Sequence, residues 1–253
     1  MRTWFAALMA AFRFLTIFPF PGTIGTDSQD LARSTLFFPV VGLFLGLLAF
    51  VAGWLGTFFL PGPVAAVLLV LMLCSFSGGL HADGLADTAD GFFSARPRKK
   101  ILEILRDSRI GAMGVLALIM VLALKITSLA VLDRQSALRA VLLMPLLGRS
   151  AIVLTMAMLP YARQEGGLAT LFYGRPVRRA AMFALALACA CCLALLGMYG
   201  LVLVMAWLVL TVLFARFCRK KIGGATGDTL GAVCELGETL VPLLLCLQAG
   251  NLA

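Results

Sequence analysis

Apolar positions in this chain run together in long blocks divided by short polar stretches. The blocks lie near Leu36 to Leu60, Val64 to Phe76, Ala112 to Val131, Arg139 to Leu159, Ala180 to Gly197, Leu201 to Phe217 and Leu230 to Leu247. Most run about 17 to 25 residues, enough to cross a hydrocarbon layer of about 30 Å as helices. Helices and closed barrels are the structures whose backbone is satisfied inside lipid, so the pattern predicts seven transmembrane helices. The second is short unless it extends toward Leu80, and Gly78 and Gly79 mark where it unwinds; broken membrane helices usually line a cavity. Before the first block, Met1 to Phe20 carries Phe and Ala with Arg2 and Arg13. It reads as an interfacial helix rather than a signal peptide, because Arg13 interrupts the apolar stretch and Phe18 to Pro21 is no small-residue cleavage site. The expected fold is all-α: one integral membrane catalytic domain over residues 1–253, a bundle of about seven spans plus that interfacial helix, with no inverted repeat.

Composition agrees. Of 253 residues, 62% are hydrophobic and 13% charged, and the mean hydropathy is +1.03. A soluble domain carries about 25% charged residues, so a soluble enzyme is excluded. The net charge of +9 is explained by position. With the N-terminus inside, all but four of the 21 basic residues fall in cytoplasmic segments; Arg134 and Arg139 lie opposite, and Lys125 and Arg149 fall within spans. This alternation follows the tendency of Lys and Arg to stay on the cytoplasmic side, and it leaves nucleic-acid binding without a specific signal. The seven cysteines, nearly all inside apolar runs and without metal or disulfide spacing, read as small hydrophobes.

Acidic residues are scarce and clustered. In HADGLADTADG, from His81, Asp83, Asp87 and Asp90 fall within an arc of about 60° on a helix, and in GDTLGAVCELGE, from Gly227, Asp228, Glu235 and Glu238 fall within about 80°. Carboxylates so arranged repel unless a cation sits among them, and oxygen ligands alone suit Mg²⁺ or Mn²⁺, which is commonly held by one or two carboxylates plus substrate phosphates. A solvated acidic helix end is the plainer reading, but the small residues between the aspartates permit close approach of a partner. RDSRIGAMG, from Arg106, compresses Arg106, Ser108, Arg109 and two glycines at a membrane boundary, where arginines can hold phosphate or merely anchor. KKIGGATGD, from Lys220, offers Lys221 and Gly224 as a phosphate wrap without P-loop spacing. Arg149, inside a span, calls for an acidic partner or an active-site role. Lys125 reads as snorkelling toward the outer surface. His81 would point about 160° from Asp83 on a continuous helix, and serves as a general base only if the preceding glycines break that helix.

Together, GGLHADGLADTADGFF from Gly78, RDSRIGAMG from Arg106 and GGATGDTLGAVCELGE from Gly223 resemble the cobalamin synthase family, as do FRFLTIFPFPG from Phe12 and FFPVVGLFLG from Phe37. The resemblance implies a Mg²⁺-dependent enzyme of the bacterial inner membrane, with Mn²⁺ as a substitute ion and the N-terminus and active site cytoplasmic. It would join adenosylcobinamide-GDP to α-ribazole or its 5′-phosphate, releasing GMP. On that reading Asp83, Asp87, Asp90 and Asp228 are metal ligands, Glu235 and Glu238 complete or support the site, and Arg106, Arg109 and Lys221 hold phosphate. The proton of the attacking hydroxyl would go to a free carboxylate or to His81. Self-association, or association with other enzymes of the corrinoid pathway, stays open. A CDP-alcohol phosphotransferase fits less well, since Phe92 and Phe93 follow Asp90-Gly91 where that pattern needs Ala-Arg. A cation or metabolite transporter would place its carboxylates nearer the bilayer midplane.

Overall fold

Each apolar block becomes a helix. The computed structural model describes residues 2–20, 22–56, 59–163, 165–166, 168–173 and 177–250; Arg175, counted above with the basic loops, lies outside them. In chain order the helices are α1 (Arg2–Leu15), α2 (Ser28–Ser34), α3 (Phe38–Gly56), α4 (Gly62–Phe76), α5 (Leu80–Phe92), α6 (Arg98–Ile104), α7 (Ala112–Val131), α8 (Arg134–Met158), α9 (Val177–Leu196), α10 (Met198–Ile222) and α11 (Gly227–Gly250). Short 3₁₀ turns occupy Thr35–Phe37 and Leu168–Phe172. Among the described residues six helical stretches are long and apolar enough to cross a membrane, and a seventh is the pair α4 and α5 taken together.

That pair bends by 89°. Gly78 and Gly79, with φ of 60° and 76°, supply the left-handed backbone that residues with a Cβ avoid, so the expected unwinding is a sharp turn. The preceding α1 is a short apolar helix. It buries Ala6, Ala7, Ala10, Ala11 and Leu15 and exposes Trp4 and Phe5, as an interfacial helix does. Two other boundaries differ from the hydropathy pattern. α8 begins at Arg134, five residues before the apolar block, because the Asp133 carboxylate accepts from the Gln135 and Ser136 N–H groups at 2.9 and 3.1 Å and caps the helix. α10 continues through the charged residues to Ile222 and stops at Gly223, φ 78°, an αL terminus.

The centre of the bundle is α8, with α3 and α11 against it. Gly42 and Gly46 of α3 lie directly on the carbonyls of Pro145 and Leu142, where any Cβ would collide, a small-residue stripe that lets two membrane helices approach. Trp207 of α10 is fully buried and donates its indole N–H to the Leu147 carbonyl at 3.1 Å. Cys192, Cys218 and Cys234 are buried among these apolar side chains, and all seven cysteines are free, as small hydrophobes.

Candidate functional site

The two acidic strings meet. α5 lies across the first turns of α7 and α11. At the crossing with α11, Gly84 faces the backbone of Asp228, and a Cβ there would stand 2.7 Å from the Asp228 carbonyl oxygen. Gly231, one turn on, packs against His81, with 3.1 Å from its would-be Cβ to the His81 carbonyl oxygen. Small residues between the carboxylates thus allow the contact. The start of α11 is closed by Thr226 and Thr229: the Thr226 N–H donates to the Thr229 hydroxyl at 2.8 Å and the Thr229 N–H to the Thr226 hydroxyl at 3.4 Å, a reciprocal cap. The Thr226 hydroxyl also donates to Asp228 Oδ2 at 3.1 Å.

Asp83 is exposed, and Asp87 and Asp228 are partly buried. Burial, and then the carboxylates of Asp83, Asp228 and Asp90, disfavour the charged form of Asp87, and Arg163 opposes them, so an added positive charge there would favour it. Arg163, from the loop after α8, was not singled out by the sequence. Its Nη2 donates to Asp228 Oδ2 at 2.7 Å and to the Leu105 carbonyl at 3.1 Å. A short parallel bridge sets it there: the Ala162 N–H donates to the Ala225 carbonyl at 2.8 Å and the Ala225 N–H to the Pro160 carbonyl at 2.9 Å. No spacing within either segment announces that pairing, because its halves lie over sixty residues apart.

The Arg163–Asp228 pair divides two cavities. On one side is a cleft of about 510 Å³ lined by Arg98, Lys99, Arg106 and Arg163 with Glu103 and Glu165. On the other is a cavity of about 140 Å³ containing Asp83, Asp228 and His81. His81 and Asp83, two residues apart in the first turn of α5, both line the second cavity.

Other expected site residues are placed elsewhere. Asp90 has both oxygens engaged: Oδ2 accepts from the Gly111 N–H at 2.6 Å and Oδ1 from the Gly114 N–H at 2.8 Å. It caps α7, about 10 Å along α5 from Asp83. Glu235 and Glu238 do not join Asp228, because sharing a helix face ignores depth: seven residues rise about 10 Å and ten about 15 Å. They meet Lys125 and Arg149 instead. Lys125 Nζ stands 2.6 Å from Glu235 and 2.8 Å from Glu238, and Arg149 pairs with Glu238. Lys125, 1% exposed, does not snorkel, since two carboxylates hold it inside the bundle. Among the described residues no three His, Cys, Asp or Glu side chains are grouped to hold a metal ion by themselves.

The expected phosphate contacts divide similarly. Arg106 lines the basic cleft and pairs with Glu165 at 2.8 Å. Arg109 is exposed and turned back onto Asp107 at 2.6 Å, and its hydrogen bonds hold the Asp107 carboxyl down at about 2. Ser108 is exposed in the same loop. Lys221 donates to the Phe92 carbonyl at 2.6 Å, closing the last turn of α5. Gly224 lies against the Pro160 carbonyl, where a Cβ would collide, so it serves the loop bridge rather than a phosphate wrap.

The sequence profile of a family described as cobalamin-5-phosphate synthase matches residues 7–246. The chain is similar to an adenosylcobinamide-GDP ribazoletransferase of Desulforamulus reducens, 44% identical over 249 residues, covering 96% of this chain and 97% of that relative. Relatives of the same name from Roseiflexus sp. and Klebsiella pneumoniae are 42% and 40% identical, covering 98% and 97% of this chain and 93% and 99% of their own lengths. No solved structure matches the chain at a significant level. A match over nearly its whole length shows that the chain belongs to the cobalamin-5-phosphate synthase family.

Proposed function

We propose that this chain is an adenosylcobinamide-GDP ribazoletransferase, joining the adenosylcobinamide phosphate to α-ribazole or its 5′-phosphate with release of GMP. The observation that carries this reading is the junction of α5 and α11, where Asp83, Asp87 and Asp228 gather beside a basic cleft and Arg163 belongs to both. A pyrophosphate needs cationic groups on its oxygens, and the cleft supplies Arg98, Arg106 and Arg163. The ribose hydroxyl of the acceptor attacks the phosphorus on the cobinamide side. One P–O bond forms, the P–O bond to GMP breaks, and the hydroxyl proton passes to a carboxylate not engaged by the metal.

Asp83, Asp87 and Asp228 are the oxygen donors that would hold a Mg²⁺ ion, and because the three are not grouped to do so alone, substrate phosphate would have to complete the set. When bound, the ion would neutralise charge on the transferred phosphoryl group. Arg163 orients Asp228 and neutralises the leaving group, so most of the catalysis is positioning and electrostatics. The basic end of the bundle, with α1 and this site, faces the cytoplasm of a bacterial inner membrane, as the loop charges favour.

The test is reconstitution in lipid vesicles with both substrates, following GMP and corrinoid product with and without Mg²⁺. Replacing Asp83, Asp87 or Asp228 with Asn is expected to lower turnover by about 10²-fold or more and to abolish its response to Mg²⁺. Wild-type rates in all three variants would eliminate the site.

A further inference from the structure

The cavity beside Asp228 is walled by aromatic rings from three distant parts of the chain: Phe14 of α1, Phe38 of α3 and Phe172 of the 3₁₀ turn. Their centroids lie 4.3 Å (Phe14 to Phe172), 5.6 Å (Phe38 to Phe172) and 5.9 Å (Phe14 to Phe38) apart, so they form one continuous apolar surface. Opposite them the lining is polar, with the carboxylates of Asp83 and Asp228 and the imidazole of His81. His81 is only 2% exposed, and neither of its ring nitrogens has a hydrogen-bond partner. A neutral imidazole has one N–H to donate and one lone pair to accept, and buried polar groups are nearly always paired. A histidine left unpaired on the lining of a cavity marks a place for a molecule that pairs with it. The enclosed space of about 140 Å³, with the exposed Asp83 at its edge, is close to the roughly 150 Å³ that admits one benzene ring, so it takes one ring of a fused pair and leaves the other toward the opening.

We propose that this cavity seats the base of the acceptor nucleoside, a flat benzimidazole stacked on the phenylalanine wall with its free ring nitrogen bound by the His81 N–H, so that the ribose emerges toward Asp83 and Asp228. The proposal rests on the transferase reading and deepens it. His81 is then a recognition residue, not the base that takes the hydroxyl proton.

Binding and turnover separate the two readings. Protein in lipid nanodiscs is titrated calorimetrically with α-ribazole alone, and with ribose as the comparison that lacks the base. Wild type is expected to bind α-ribazole at least about tenfold more tightly than ribose. His81→Phe and Phe172→Leu are each expected to weaken α-ribazole about fivefold, with His81→Gln, which retains a donor, closer to wild type. In turnover the KM for the acceptor rises in the first two variants while that for adenosylcobinamide-GDP stays within about twofold. Unchanged α-ribazole affinity in both variants, or equal affinity for ribose, overturns the proposal; should His81→Phe not fold, Phe172→Leu and the ribose comparison still decide. Wild type that binds α-ribazole but releases no GMP would sink the transferase reading and leave the pocket standing. GMP release with an acceptor KM indifferent to both substitutions would sink the pocket alone.

Discussion

Both oxygens of Asp90 are taken up by the N-terminus of α7, and the sequence around that terminus is shaped to receive them. Gly111 and Gly114 donate to the carboxylate, and a Cβ on either would collide with it. The two glycines three apart that read as part of an arginine-rich phosphate loop therefore exist to admit a carboxylate from another helix. A negative charge at a helix N-terminus satisfies orphan N–H groups and complements the helix dipole. Asp90→Ala is expected to destabilise the protein by about 0.5–2 kcal/mol, and Gly114→Ala to do so by colliding with Asp90. The double variant should cost less than the sum, because the collision disappears with the carboxylate. Thermal unfolding of the purified variants in detergent measures this; strict additivity would show that residues 90 and 114 do not interact.

At the scale of elements, the site depends on how closely α5 sits on α11. Gly84→Ala places a methyl 2.7 Å from the backbone oxygen of Asp228, and a backbone atom cannot swing aside, so the helices must separate by several tenths of an ångström. Misplacement approaching 1 Å costs about 10²-fold in rate. The expected result is a folded protein with turnover reduced at least about tenfold, and an unaltered rate would mean the junction tolerates slack. The helices themselves were legible from the apolar blocks, and the break at Gly78 and Gly79 from the glycines, since both are local properties. Their partners were not. A helical wheel gives the direction in which Asp228, Glu235 and Glu238 point but not their depth, and the bridge of Tyr161 with Ala225 that installs Arg163 joins two loops with no shared pattern. The acidic strings stood out in the sequence because carboxylates are scarce elsewhere in the chain, whereas the aromatic cavity draws on three remote segments.

Across the whole molecule, the charges within the spans form a balanced set. Lys125 of α7, Arg149 of α8 and Glu235 and Glu238 of α11 are each at most 4% exposed, two positive and two negative, tying three helices together. The set lies near the aromatic cavity, since Arg149, Glu238 and Lys125 all act electrostatically on His81. Four charges withdrawn from water contribute little net stability when paired, but removing one leaves its partner exposed to a medium that cannot solvate it. Glu235 is held by Lys125, whereas Glu238 also has Arg149. Lys125→Met is thus expected to destabilise the bundle by about 3–5 kcal/mol, lowering the unfolding midpoint in detergent by about 10 °C. Adding Glu235→Gln removes the stranded charge and leaves the neutral Arg149–Glu238 pair, so the double variant should recover more than half of the loss. Equal instability of single and double variants would indicate that Lys125 acts by filling space, and that charge balance is not what holds α7 to α11.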